Sequence, residues 1–491
     1  MAYETCYIPN RRTNHHLFHQ HLHKMKRILA FAALVFATTL TACSQGYKID
    51  VKIDGLKDTT IILGYHFGEK KFVSDSAFVD SKGVAVFQGD SLLPGGMYLI
   101  ILPQHTYFDF LLGDNQRFSI TTSAENLTND LKFQHSKENS AFADYQRFMS
   151  DKQQKMAELR KQLQAVAKNT EEEQKIIDQM NLLDTEVKNY WDKVINDNPG
   201  TFFANIIRTL KPIEFPAFDI PENTGNPDSL KWVMSYRYNQ QHYFDNIALT
   251  DDRLIRTPFL QNRIDNYFDR VLLPIPDTIK LYADKVIEKT RPNDKMFQFM
   301  VSHLLSKYQN HSIMGMDGVF VHLAEKYYLS GDATWLSSEL LTQIANRVNE
   351  LKPNLIGEIA PNFRMMDING KMRELHDVKG KLIVLYFWEP GCSHCKKVTP
   401  QLKDIYSRYK QIGLEVVAVY TQTEMDKWKE YVATNELNWI NVWDPNRITN
   451  YHKLYDIYST PTLYILDANK KIIGKRIGIE SLEKFIQEEL Y

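Results

Sequence analysis

Cys392 and Cys395 are the residues of this chain whose type and spacing could do chemistry. A Cys-x-x-Cys can cycle between a dithiol and a small disulfide ring, which moves two electrons without a cofactor. The pair sits at a junction that favours this use. The run Lys381 to Phe387 before it is strand-forming. Val398, Leu402, Ile405 and Tyr409 after it recur at helical spacing. The first cysteine therefore falls at a helix N-terminus, where unpaired N–H groups and the helix dipole stabilise a thiolate. The second lies one turn further in.

The rest of the composition leaves this pair little competition. The chain has four cysteines, the others being Cys6 and Cys43, which excludes a disulfide-stapled scaffold and a four-cysteine zinc site. Half a zinc site would need His and acidic ligands to complete it, and no metal site is expected. The net charge of −1 gives no basic excess for nucleic acid. With 491 residues, 43% of them hydrophobic and 24% charged, the chain is long enough for two to four domains with sizeable cores.

Met25-Lys26-Arg27 opens a charged segment, Ile28 to Leu40 is almost wholly apolar or small, and Leu40-Thr41-Ala42-Cys43 closes it. That is the order of a secretory signal, and the apolar run is short for a membrane span. It resembles a bacterial lipoprotein signal over residues 25–42. The resemblance implies cleavage before Cys43, lipidation of Cys43 and membrane attachment by acyl chains. Residues 1–24 then read as an over-extended start, with Met25 the true one. The alternative is a metal-binding tract of His15, His16, His19, His21 and His23.

Residues 43–130 read as a β-sandwich domain. Ile49, Val51 and Ile53 alternate with polar residues. Further strands are expected at 60–65, 84–88, 97–102, 107–112 and 117–121, with a hairpin turn at Val79–Val84. The segment resembles the small β-domain that precedes thioredoxin domains in envelope lipoproteins of didermic bacteria. Residues 138–351 read as helical. Phe142, Tyr145, Met149, Met156, Leu159, Leu163 and Val166 form one stripe, interrupted by Lys152. Ile176, Met180, Leu183, Val187, Tyr190 and Val194 form a second. Asn169-Thr170 makes a turn between them, with Thr170 and Glu173 as a capping box. An antiparallel helical hairpin is expected, its stripes serving as core or as a docking arm. Lys352 to Gly357 reads as a linker.

From Gly357 onward strands and helices alternate and end in a β-hairpin through Asp467 to Lys470, the pattern of a mixed α/β sheet. Residues 357–491, about a quarter of the chain, resemble the thioredoxin superfamily and within it the TlpA/ResA type of membrane-tethered thiol–disulfide oxidoreductase. Trp388 stands four residues before the first Cys, Pro400 eight residues after it, and Thr460-Pro461 opens a strand. A helix and strand between Tyr420 and Asp444 match the insertion of the TlpA-like branch. The resemblance implies Cys392 as nucleophile, Cys395 as resolving thiol and Pro461 in the cis form. Trp388, His394, Thr460 and Pro461 would support the site, with no cofactor beyond the Cys392–Cys395 disulfide. His394, as imidazolium, would further stabilise the Cys392 thiolate; the other reading is a solvated side chain with little effect. Protein disulfides and dithiols are the implied substrates.

Two residues depart from the family pattern. Tyr386 stands where thioredoxins carry a buried acid, six residues before the first Cys. Val398 stands where the ResA-like branch carries a Glu, three residues after the second. Both acids assist proton transfer to the resolving thiol. A peroxiredoxin would need a Pro where Leu385 stands. The rival reading from another class is a lipid-anchored module that binds an envelope protein or peptide, with the redox domain as accessory. A reductase outside the cytoplasm needs a membrane-derived electron donor, and none is encoded here. Ser44 and Gln45 carry no acidic surface-export signal, so the expected place is the periplasmic side of the outer membrane.

Overall fold

The computed structural model describes residues 46–491 apart from Glu222. The expected signal at 25–42, the lipidation site Cys43 and the 1–24 stretch with Cys6 lie outside the described residues. Two compact units divide the chain. One runs to His66 and includes Lys71–Val187; the other holds Phe67–Lys70 and Lys188–Tyr491.

In the first unit, alternating apolar residues make eight strands in two four-stranded sheets. The strands are β1 (Lys48–Asp54), β2 (Thr59–Phe67), β3 (Lys70–Val79), β4 (Val84–Gln88), β5 (Gly96–Ile101), β6 (Tyr107–Leu112), β7 (Arg117–Ser123) and β8 (Lys132–Gln134). Their orders are β4-β1-β7-β8 and β3-β2-β5-β6. Ile49, Leu63, Phe87, Ile100, Phe110 and Ile120 meet in one buried cluster. The turn at Val79–Val84 is real: Asp80 accepts from the backbone N–H groups of Lys82 and Val84, at 2.8 Å each. It is not a hairpin, because β3 belongs to one sheet and β4 to the other. The edge strand β6 is closed by a side chain. Asn139, buried near the start of the helix Lys137–Ala165, accepts from the Leu111 N–H (2.6 Å) and donates to its carbonyl (2.8 Å).

The helices Lys137–Ala165 and Glu171–Asp197 are the expected pair. Along the first, Met149, Met156, Leu159 and Leu163 are only half-buried, as are Met180, Leu183 and Val187 on the second. Lys152, which breaks the apolar seam, reaches across it to Glu186 at 2.6 Å. The cap differs in detail from a capping box: Thr170 accepts from the Glu173 N–H, whereas the Glu173 carboxylate takes the Asn169 N–H.

In the second unit, short helices fill the middle region through Leu351. Pro227 and Pro276 each open a helix, where a proline in the first turn forfeits no intrahelical hydrogen bond. The C-terminal sheet has seven strands: β9 (Arg364–Asp367), β10 (Met372–Glu374), β11 (Leu382–Trp388), β12 (Leu414–Tyr420), β13 (Ile440–Trp443), β14 (Thr462–Asp467) and β15 (Ile472–Lys475). Their order is β10-β9-β13-β12-β11-β14-β15, with β11 parallel to β12 and antiparallel to β14. All seven β11 residues are buried, because helices cover both faces of the sheet centre.

The stretch Lys352 to Gly357 is not a loose linker. Asn354 is fully buried. It donates to the carbonyls of Glu350 (2.8 Å) and Leu454 (3.0 Å) and accepts from the buried Lys475 ammonium at 2.5 Å. Lys475 also pairs with Asp317 of the helical region. Burial lowers the Lys475 pKa, and the Asp317 carboxylate opposes that shift.

Candidate active site

Strand β11 delivers the site at its C-terminal end, the usual place for function in a sheet with parallel strands. The chain turns through Glu389, Pro390 and Gly391 and enters the helix Ser393–Tyr409 with Cys392 as its N-cap. The cap is made by the sulfur itself: Cys392 Sγ accepts from the Cys395 backbone N–H at 3.3 Å. Across the cleft, the Thr460–Pro461 peptide bond is cis, and the Cys392 thiol donates to the Thr460 carbonyl at 3.3 Å. Thr460 also donates its hydroxyl to Glu389 at 3.1 Å. The structure thus brings Cys392, Cys395, Thr460 and Pro461 together from two segments 68 residues apart.

The two thiols have opposite surroundings. Partial burial alone would raise the Cys392 pKa. The Cys395 backbone N–H, the Cys395 thiol, Thr460 and the His394 backbone N–H outweigh that and hold it below its ordinary value. Cys395 is 1% exposed. Burial pushes its thiol up to about 12, and the neighbouring Cys392 sulfur adds to the rise, against a hydrogen bond at the Glu389 backbone. Cys392 is therefore the more acidic and the more accessible of the two thiols. Both are unbonded thiols in this structure.

Trp388 is fully buried and stacks on Tyr386 with centroids 6.0 Å apart, walling the inner side of the pair. Tyr386, in the position of the family's acid, shares a 2.8 Å hydrogen bond with the Thr399 hydroxyl. Thr399 donates in turn to the Cys395 carbonyl at 2.8 Å. Burial raises the Tyr386 pKa far above its ordinary value, so this is a hydrogen bond between two neutral hydroxyls. Val398 is half-buried against the same cluster. The His394 side chain is exposed, and the residue helps Cys392 through its backbone N–H. Pro400 lies inside the helix, on its exposed side.

Sequence reasoning does not find Thr399 as a partner of Tyr386, nor Arg347. Arg347, on the helix Ser338–Leu351 of the middle region, holds Asp456 in a two-pronged contact of 2.5 and 3.1 Å. Asp456 also receives Arg476, and its side chain is wholly buried. Asp456 stands four residues before Thr460, so the helical region touches the segment that presents the cis bond.

Among the described residues no group of three or more His, Cys, Asp or Glu could hold a metal ion, and no helix is long and apolar enough to cross a membrane.

Comparison with known proteins bears on this geometry. The AhpC/TSA family model matches residues 356–475. A thiol-disulfide oxidoreductase ResA of Bacillus cereus is 34% identical over 139 residues, 27% of this chain and 78% of the relative. This chain belongs to the ResA-like thiol-disulfide oxidoreductases of the thioredoxin superfamily. The ResA of Bacillus subtilis is 33% identical over 117 residues, 24% of this chain and 64% of the relative. A domain of a possible thiol-disulfide isomerase from Cytophaga hutchinsonii is 39% identical, covering 28% of this chain and 93% of that one, with a TM-score of 0.27. A thioredoxin-like protein from Bacteroides caccae is 22% identical and covers 57% of this chain and 99% of that one, with a TM-score of 0.44. The front of the chain matches two domains of unknown function, DUF4369 over residues 47–142 and DUF5106 over 162–354.

Proposed function

We propose that Cys392 is the attacking and Cys395 the resolving thiol in disulfide exchange with protein substrates outside the cytoplasm. The observation that carries this reading is the placement of the pair: the Cys392 sulfur caps the helix, 3.3 Å from the Cys395 N–H, with Cys395 buried behind it, which lowers the first pKa and raises the second. The Cys392 thiolate attacks one sulfur of a substrate disulfide. A Cys392–substrate bond forms, the substrate S–S bond breaks, and one substrate thiolate leaves and takes a proton. Cys395 then loses its proton and attacks Cys392. The Cys392–Cys395 bond forms, and the second substrate thiol leaves. Two electrons and two protons pass from protein to substrate, and the reverse sequence oxidises a dithiol. No cofactor beyond this disulfide is needed.

Lipidation at Cys43 would tether the enzyme to the membrane. The Met25 to Ala42 pattern supports that reading, and Ser44 and Gln45 support the periplasmic side of the outer membrane as the location. In an oxidising compartment a reductase would draw on a membrane electron donor.

A Cys395→Ala variant should accumulate covalent Cys392–substrate disulfides, which mass spectrometry of the mature protein from cells would identify. Adding Cys392→Ser should remove them all. Adducts that survive the second substitution would disprove the assignment of roles.

A further inference from the structure

A cleft of about 590 Å³ is lined by residues that neighbour the cysteine pair in sequence, though neither cysteine lines it. It begins at His394 and Pro461, and its lining crosses from the redox domain to the helical region, which contributes Asn310 and Arg347. Its volume lies in the range that holds a ligand or a short peptide segment. The floor includes Val398, Leu463, Ile477 and Ile479, and the walls carry charge.

The accessible charge is mostly positive. Asp456 lines the cleft but is wholly buried beneath two guanidiniums, those of Arg347 and Arg476. Arg476 is about half exposed and Arg347 partly so. Lys397, on the Cys helix, is exposed, and Glu480 is the exposed carboxylate on the rim. Glu350 also meets Arg347, at 3.3 Å, but does not line the cleft. An arriving chain therefore meets two guanidinium faces and an ammonium against one accessible carboxylate. Arg347 is engaged by Asp456, Glu350 and Tyr458, whereas Arg476 holds Asp456 through one nitrogen and retains outward N–H donors for another carboxylate.

We propose that this cleft docks an extended segment of the disulfide-bearing substrate, and that Arg347, Arg476 and Lys397 select segments with a carboxylate side chain close to the reacting cysteine. The helical region is then part of the substrate site. This rests on Cys392 and Cys395 being the exchange site. An extended segment suits such a cleft because main-chain contacts give affinity while side-chain pockets give selectivity.

The test uses the full chain in its reduced form and two synthetic peptides closed by a Cys-x-x-Cys disulfide. The peptides differ only in carrying Glu or Lys at the positions flanking the loop. The second-order rate constant for peptide reduction is measured for each. The expected preference for the Glu peptide is about fivefold, falling as salt is raised, as for a partly exposed ion pair. Arg347→Ala should bring the ratio towards one. Lys397→Glu changes an exposed residue and should push the ratio below that of the unmodified protein, so the test survives a folding defect in the first variant. Because each ratio is internal to one protein, partial unfolding lowers both rates and leaves it unmoved. Equal rates in the unmodified protein, or a ratio unchanged in both variants, would overturn the docking proposal while leaving disulfide exchange intact. Reduction of neither peptide would overturn both.

Discussion

The N-terminal strand domain and the C-terminal redox domain both build tight apolar cores around sheets, yet they use buried polar groups differently. In the first, Asn139 and Gln116 are buried and spend their hydrogen bonds on nearby backbone: Asn139 on Leu111, Gln116 on Leu93 and Gly113. These contacts close an edge strand and pin loops. In the second, Asn441 and Asp444 bind local backbone in the same way, but another set of buried polar groups flanks the cysteine pair. Cys395, Tyr386 and Thr399 lie under Cys392, and Asp456 ties the facing loop to the helical region. Burial that stabilises a fold in one place tunes acidity in the other.

The largest expected effect lies in the thiols. Alkylation of Cys392 by iodoacetamide should rise with pH to a midpoint below the ordinary thiol value of about 8.5, because only the thiolate reacts and its pKa is lowered. Cys395, pushed up to about 12, should react on the order of a hundredfold more slowly at neutral pH. Equal rates resolved by peptide mapping would erase the contrast between the sulfurs. A smaller effect is expected in the strand domain. Asn139→Ala would leave the buried Leu111 N–H and carbonyl without partners, at a cost of about 2 kcal/mol in a urea melt, with the exchange rate unchanged. A changed exchange rate would show that the domain's polar contacts serve the site as well. The smallest effect belongs to Tyr386→Phe. Loss of its hydrogen bond to Thr399 should cost about 1 kcal/mol, since the Thr399 hydroxyl keeps the Cys395 carbonyl as partner. A slower resolving step, followed by decay of the mixed disulfide, would show that the hydroxyl also moves a proton.

Much of the redox domain is legible because its signals are local. A fully apolar strand, a Cys-x-x-Cys and a helical stripe follow one another within 30 residues, and Thr460-Pro461 marks the partner segment. The front sheets are legible in part. Strand β3 escapes a reading by pattern because most of its residues are exposed, including Phe72, Val73 and Phe78, so no alternation marks it. Strand β8 is only three residues long. The contacts around the site are the hardest to read. Arg347 meets Asp456 across 109 residues, and Tyr386 meets Thr399 from strand to helix. An arginine on a helix and an aspartate in a loop carry no mark of belonging together until the sheet and helices are assembled.

A reversible bond between two sulfurs of unequal acidity is the central claim. The direct measurement is a redox titration of the purified protein in glutathione buffers, with thiols trapped and the Cys392–Cys395 peptide weighed at each potential. A single two-electron transition on that peptide, reached from both the oxidised and the reduced side, is the expected result. A peptide that stays dithiol at every potential, or oxidises without returning, would contradict it.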